Sequence, residues 1–360
     1  MSAAGPSQRA RPPGGERRAA PLGGDHTTAY AIYVGKRLLQ FMLVVFIGIN
    51  LAFVITHSTP IDPVEQTVAT ATAFGSTSPE AVEMMRQSLR ELYGLGGSPW
   101  AQYAVFWKRI AVGDFGPSLS AFPTPVSVLI NRALPWTIGL LTVSTLLAWI
   151  LGNLLGGLAG YYRDSKILRI AGIVAMGVHP IPYYIVAFVF LIVFGYLWPV
   201  LPITGGSQMN VQWGWNATFI LSVLRHSILP IISLVLVGIG GWFMGMRSLV
   251  SNIVTEDYVT YAELAGVNRR RILGAYVMRN ALVPQVTGLA MSLGSIFNGA
   301  IITEQVFGYP GIGTLLISAV HTGDYSLVIG IASVSIIAVS FCVLVIDLLY
   351  PLLDPRVKAT

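Results

Sequence analysis

The chain has 360 residues, of which 54% are hydrophobic and 11% charged, with a formal net charge of +6. Soluble domains carry about 25% charged residues, so this composition excludes an ordinary soluble enzyme and points to an integral membrane protein. The positive residues sit between apolar runs and near the N-terminus, a distribution that fits a membrane boundary rather than nucleic acid.

Residues 1–32 are rich in Pro, Gly, Ala and Arg, and their composition predicts a disordered basic tail. The apolar run begins only after Arg37, late for a cleaved signal peptide. A bilayer-spanning helix needs about 20 mostly apolar residues. Six windows meet that length: Leu38–Thr56, Ala133–Tyr162, Ile170–Val200, Ser227–Met246, Asn280–Thr303 and Tyr325–Ile346. The expected fold is therefore all-α and integral to the membrane. Residues 33–56 supply the first span, and a five-helix core occupies 133–357.

Between them, residues 57–132 are too long for a plain connection. A helix start at Ser78-Pro79 and an apolar rhythm at Val82, Met85, Leu89 and Leu92 predict a small helical subdomain. Trp100, Tyr103, Phe106 and Trp107 belong either to its core or to the membrane interface. Residues 201–226 hold Pro202, Gly205, Gly206, Gly214 and Asn216, so they read as a loop with room for an interfacial helix, and Ala217–Leu224 is too short to cross. Pro180, Pro182 and Pro230 are expected to interrupt the third and fourth spans. Small residues mark close helix packing: Gly152, Gly156 and Gly160; Gly238, Gly241 and Gly245; Gly288, Ser292, Ser295 and Gly299.

Charge bias orients the spans. With six spans, sixteen Lys/Arg fall on the side of both termini and six on the other. Both termini and the loop 247–279 are thus expected in the cytoplasm, and the 57–132 subdomain outside.

The 247–279 loop contains a polar island with one short amphipathic helix. Thr255 is placed to cap it, and Glu256 and Asp257 fall where the helix dipole favours negative charge. Tyr258, Tyr261, Ala262 and Ala265 share one face by spacing, and Gly266 stands where a left-handed stop is expected. Periodicity alone leaves two roles open: resting on the lipid surface, or lying in the groove of a partner.

Chemistry of other kinds has no residues to carry it. The five histidines are scattered without metal-ligand spacing, and Cys342 is the single cysteine. Glu304 and Asp347 lie at span ends, and no carboxylate pair falls within a span. No glycine-rich loop carries a Walker lysine. A stand-alone secondary transporter or channel predicts midplane charges and inverted repeats. A membrane enzyme predicts an intramembrane catalytic set. Neither pattern is present in the sequence.

Several stretches in order resemble the permease subunits of ABC importers of the dipeptide/oligopeptide/nickel group. Asp257-Tyr258-Val259-Thr260-Tyr261-Ala262-Glu263-Leu264-Ala265-Gly266 followed by Arg279-Asn280-Ala281-Leu282-Val283-Pro284 resembles the importer loop motif, departing from it at Tyr261 and Ala265. Gly113-Asp114-Phe115-Gly116 with Ser118, His179-Pro180-Ile181-Pro182, Leu201-Pro202-Ile203-Thr204-Gly205 and Leu224-Arg225-His226 with Leu229-Pro230 resemble further elements. So do Glu304-Gln305-Val306-Phe307 with Pro310-Gly311-Ile312-Gly313, the Asp324-Tyr325 pair, and Asp354-Pro355-Arg356.

The resemblance covers most of residues 33–357. It implies a multi-pass inner-membrane protein working with a second permease, cytoplasmic ATP-binding subunits and an extracytoplasmic binding protein. ATP and magnesium would be held by those partners, and this chain would carry no cofactor, metal or catalytic residue. The loop helix would be a coupling helix, with Glu256, Asp257, Tyr258, Tyr261, Ala262, Ala265 and Gly266 at the ATPase contact and Arg279, Asn280 and Pro284 as the motif positions after it.

Overall fold

The computed structural model describes residues 25–58, 62–72, 78–92, 98–298 and 300–353. The tail before residue 25, Gly299 and Asp354-Pro355-Arg356 lie outside the described residues. Fourteen α-helices run through the rest, with no strand among the described residues.

Helix α1 is Asp25–His57, and α2, α3 and α4 are Pro63–Thr72, Pro79–Leu92 and Pro99–Ala111. The first long core helix is α5, Val126–Tyr161. Next come α6, Lys166–Val178, and α7, Tyr183–Leu191, the latter running on as a π-helical turn to Leu197. Helix α8 spans Ala217–Ile253 and α9 spans Asp257–Leu264. Arg269–Arg271, or α10, leads through a π-helical stretch into α11, Arg279–Gly294. The chain closes with α12, Ile301–Val306; α13, Ile312–His321; and α14, Tyr325–Leu353.

Among the described residues four helices are long and apolar enough to cross a bilayer: Tyr30–Ile55 within α1, α5, α8, and Tyr325–Leu349 within α14. The α6–α7 pair makes a fifth span if its 100° bend is crossed as one unit. The window Asn280–Thr303 supplies no continuous spanning helix. Its helix ends at Gly294 and passes into a 3-10 turn before α12.

Two expectations about helix breaks need correction. Pro230 interrupts nothing, because it lies inside the unbroken α8. Proline is tolerated inside membrane helices, where local adjustments and neighbouring groups can serve the one carbonyl it frees. Nor is 217–226 a loop or a separate interfacial helix; it is the first part of α8. Asn216 accepts from the Phe219 N–H at 2.8 Å and starts α8 there. The breaks at Pro180 and Pro182 are real and make the α6–α7 bend.

The glycine spacing explains how α5 and α8 pack. A Cβ on Gly152 would come within 2.5 Å of the Trp242 Cβ, and one on Gly160 within 2.8 Å of Val250 Cγ1. One on Gly156 would overlap the carbonyl oxygen of Phe243. Backbone thus meets backbone, the contact that small residues permit. Gly238, Gly241 and Gly245 serve three neighbours instead of one, facing Ala148, His179 and Gln285.

Helix α1 is held mainly by α14. Arg37 pairs with Asp347 at 3.1 Å, and the Tyr33 hydroxyl donates to the Asp347 carbonyl at 2.8 Å. Helices α2 and α3 form a small pair of their own, with Val64, Val68 and Leu89 buried and Val82 and Met85 packed against them. The Ser78 hydroxyl accepts from the Ala81 N–H at α3's start. Leu92, expected in the same core, is left half-exposed. Across the pair, Arg86 binds Glu65 at 2.7 Å, and this hydrogen bond holds the Glu65 carboxyl below the usual carboxylate range. The α4 aromatics mostly join α1: Phe53 packs on Tyr103 and Phe106, Phe46 stacks on Trp107, and the Tyr103 hydroxyl donates to Asn50. Trp100 is largely exposed.

Candidate functional site

Helix α9 sits at the Ile253 end of α8. Its start is the extended Glu256, which makes no side-chain cap, while the Thr255 hydroxyl donates backward to the Asn252 carbonyl at 2.7 Å. Thr255 is therefore not the cap. Its stop is Gly266 at φ +74, the left-handed region. The Gly266 N–H donates to Glu263 and the Val267 N–H to Ala262, at 3.0 and 3.1 Å. These are the two bonds of a Schellman stop, and they fold Val267 back against Ala262's side of the helix.

The buried face differs from the expected stripe. Val259 and Ala262 are buried against Met246 and Val250 of α8 and against Ile272, Val277 and Ala281. Tyr258 is half-exposed, while Tyr261 and Leu264 are 70% and 80% exposed. Ala265 and Gly266 are exposed, as are Glu256 and Asp257. Apolar residues occur on both sides of α9, so spacing alone did not choose the inward one. Of the predicted positions only Ala262 points into the protein.

The segment after α9 ties it down. Asn268 accepts from the Arg270 N–H and starts α10. The Asn280 side chain donates to the Tyr258 hydroxyl at 3.1 Å and to the Tyr276 carbonyl at 2.7 Å. Two predicted positions, Tyr258 and Asn280, thus meet across 22 residues. Arg279 and Pro284 lie exposed on α11. The result is a short helix seated on α8 and on the lead-in to α11, with an apolar outer edge left uncovered.

At the Ala217 end of α8 the motif stretches meet in space. Glu304 is fully buried. Its carboxylate accepts from the Thr137 hydroxyl at 2.8 Å and from the Gly313 N–H at 2.7 Å. Thr137 in turn accepts from the Ile312 N–H at 2.8 Å. Glu304 and Thr137 therefore serve free N–H groups in the first turn of α13, where an anion is favoured. A Cβ on Gly311 or Gly313 would run into that carboxylate, which explains the glycines. Alongside, Phe307 packs on Leu229 and Ala187, the Gly205 N–H donates to the Phe307 carbonyl, and Tyr309 meets Ser227 and Trp136.

Asp324 forms a second buried carboxylate site. It accepts from the Ser118 and Ser120 hydroxyls, from the Ser120 N–H at 3.0 Å, and from the Leu327 N–H at 3.0 Å at the start of α14. Residues 113–120 are thereby fastened to the last span. Reading along the chain missed both roles. Glu304 was placed at a span end and in a motif without a role, although a carboxylate ahead of Gly-Ile-Gly at a helix start was a usable signal. Asp324→Ala is expected to release this segment, raising amide hydrogen exchange across 113–125, with Asp324→Asn intermediate. Unchanged exchange in the alanine variant would refute the fastening role.

Among the described residues no group of histidine, cysteine or carboxylate side chains is placed to hold a metal ion. The geometry is one of helix ends, fastened loops and one uncovered helix edge.

Comparison with known proteins agrees in kind. Residues 152–359 match the family described as binding-protein-dependent transport system inner membrane component. The oligopeptide transport system permease protein AppB of Bacillus subtilis is 28% identical, covering 91% of this chain and 99% of its own length. The probable D,D-dipeptide transport system permease protein DdpB of Escherichia coli K12 is 29% identical, covering 89% and 96%. The glutathione transport system permease protein GsiC of the same organism is 27% identical, covering 91% and 98%. The chain belongs to the binding-protein-dependent transport system inner membrane component family and is a permease subunit of an ABC importer.

Proposed function

We propose that this permease moves peptides or a related small solute and that α9 is its coupling helix. The observation that carries the coupling role is the uncovered edge of α9, with Tyr261 and Leu264 outward, on a helix otherwise locked to the core. An amphipathic helix of this kind docks in a groove of its partner. The partner is a cytoplasmic ATP-binding subunit that holds ATP and magnesium. Closure of two such subunits would move α9, and with it α8 and α11, as rigid bodies. A second permease completes the passage, and an extracytoplasmic binding protein delivers cargo to the Ala217 end of α8. The names of the relatives support peptide-like cargo.

In this reading the chain crosses the inner membrane six times. The broken 279–306 segment counts as one span, both termini are cytoplasmic, and α2–α4 lie outside. The Lys/Arg asymmetry supports that orientation. Ser78 and Asn268 are both exposed, so cysteines there test it. A charged thiol reagent added to intact cells should label Ser78→Cys and leave Asn268→Cys untouched; the opposite pattern refutes the orientation.

Coupling is tested at Gly266. A Cβ there meets nothing within 4 Å, so the first added atom of Gly266→Val has open space. It does force a β-branched residue into the left-handed region, at a cost of about 1–2 kcal/mol. The variant should insert normally and co-purify less ATPase activity from solubilised membranes. Full ATPase recovery would remove α9 from the coupling route. A chain that purifies alone and transports without ATP would favour a stand-alone transporter.

A further inference from the structure

Between Arg169 and Arg225 the sequence holds no Asp, Glu, Lys or Arg, yet His179 lies within that stretch. His179 stands at the 100° bend between α6 and α7. Pro180 and Pro182 have no N–H to give, and the helix stops: the Ile181 N–H turns back to the Val178 carbonyl at 2.9 Å. The imidazole is held in one place. A Cβ on Gly240 would fall 2.5 Å from the His179 Cβ, and one on Gly241 3.2 Å from its Cε1, so the glycine pair in α8 makes room for it. Its Nδ1 lies 3.1 Å from the Val237 carbonyl. That carbonyl only accepts, so Nδ1 carries the proton, and Nε2 has no partner among the described residues.

The bend lies at membrane depth. It comes about 20 Å along α6 from Lys166, and Gly240 comes about 20 Å along α8 from Ile253, against a hydrocarbon layer of about 30 Å. His179 and Pro180 are exposed, and Ile181 and Tyr183 are each 38% exposed. Lipid does not tolerate non-helical backbone at this depth. Such backbone persists only where protein covers it or where it lines a water-filled cavity. This chain leaves the break uncovered and aims a polar ring from it.

Resting on the permease reading, we propose that the His179–Pro182 break lines the aqueous passage and that His179 Nε2 presents a hydrogen-bonding group to polar solute crossing there. The glycine pair fixes the ring, and the two prolines keep the backbone open.

The test uses the complete complex in liposomes, on a Cys342→Ser background. His179→Cys and Tyr183→Cys are each exposed to a charged, membrane-impermeant methanethiosulfonate and to a lipid-soluble maleimide, with Ile47→Cys on α1 as the lipid-side control. Adduct formation is read by mass spectrometry with and without ATP. The expected result is charged-reagent labelling at both break positions, at a rate that changes with ATP, and maleimide labelling alone at Ile47→Cys. Labelling of the break by maleimide alone means lipid contact and overturns the proposal. No labelling by either reagent means the break is covered by a partner subunit and also overturns it. The Tyr183 variant keeps the test open if His179→Cys fails to assemble. ATPase activity of each preparation is measured first. Retained activity without charged-reagent labelling sinks the passage assignment alone, whereas absent ATPase subunits sink the permease reading itself.

Discussion

Glu304→Ala is expected to lower the thermal unfolding temperature of the purified protein sharply and to reduce assembly into the membrane complex. The substitution removes the acceptor of both the Thr137 hydroxyl and the Gly313 N–H, in a site with no exposure. Each buried donor left without a partner costs about 1–3 kcal/mol. A void also opens where Gly311 and Gly313 were shaped to the carboxylate. The start of α13 then keeps only the bond from the Ile312 N–H to Thr137 as its hydrogen-bonded tie to α5. Glu304→Gln is a useful contrast. Its carbonyl oxygen can still accept from Gly313, and its amide can donate to Thr137, whose oxygen already takes the Ile312 N–H. The Thr137 proton and the amide's second hydrogen go unused, so glutamine should fall between wild type and alanine. Unfolding curves followed in detergent rank the three. Equal stability of the alanine variant would show that the carboxylate holds nothing together.

Gly156→Val should be at least as damaging, for the opposite reason. Here atoms are added where the α5–α8 contact leaves no space, and the obstacle is Phe243 backbone rather than a movable side chain. Overpacking usually costs about 1–3 kcal/mol when neighbours can shift. A rigid helix backbone cannot shift locally, so α5 and α8 must separate along their length. Gly139 on the same helix supplies the control, since a Cβ there meets nothing within 4 Å. Gly139→Ala should leave the unfolding curve in place while Gly156→Val shifts it or prevents recovery of folded protein. If both variants behave alike, the glycine contact is not what holds the pair.

The two sites lie at separate places along a continuous body. Gly156 and Gly160 lock α5 to the part of α8 that approaches α9, and Glu304 locks α5 to α13 toward the Ala217 end. In the proposed coupling, motion applied at α9 would be carried by α8, whose 37 residues run about 55 Å without a break. That length exceeds a bilayer core of about 30 Å, so one helix reaches from the α9 seat to the meeting place of the motifs.

Much of this protein was legible along the chain. The membrane class followed from apolar length, because burying some 20 residues in lipid tolerates few charges. The stop of α9 followed from Gly266, because left-handed backbone excludes most side chains locally. The break at Pro180 and Pro182 followed from a missing donor. Each of these signals is complete within a few neighbouring residues. What only the tertiary structure decided was partnership. Glu304 with Thr137, Asp324 with Ser118 and Gly156 with Phe243 join positions far apart in sequence, and nothing local names the mate. The facing of α9 was undecidable for a related reason. Val259 and Ala262 on one side and Tyr261 and Leu264 on the other are both apolar, so periodicity is degenerate until α8 and α11 supply a surface to bury one of them. Pro230 was misjudged likewise, since whether a proline breaks a membrane helix depends on its surroundings and not on the residue alone.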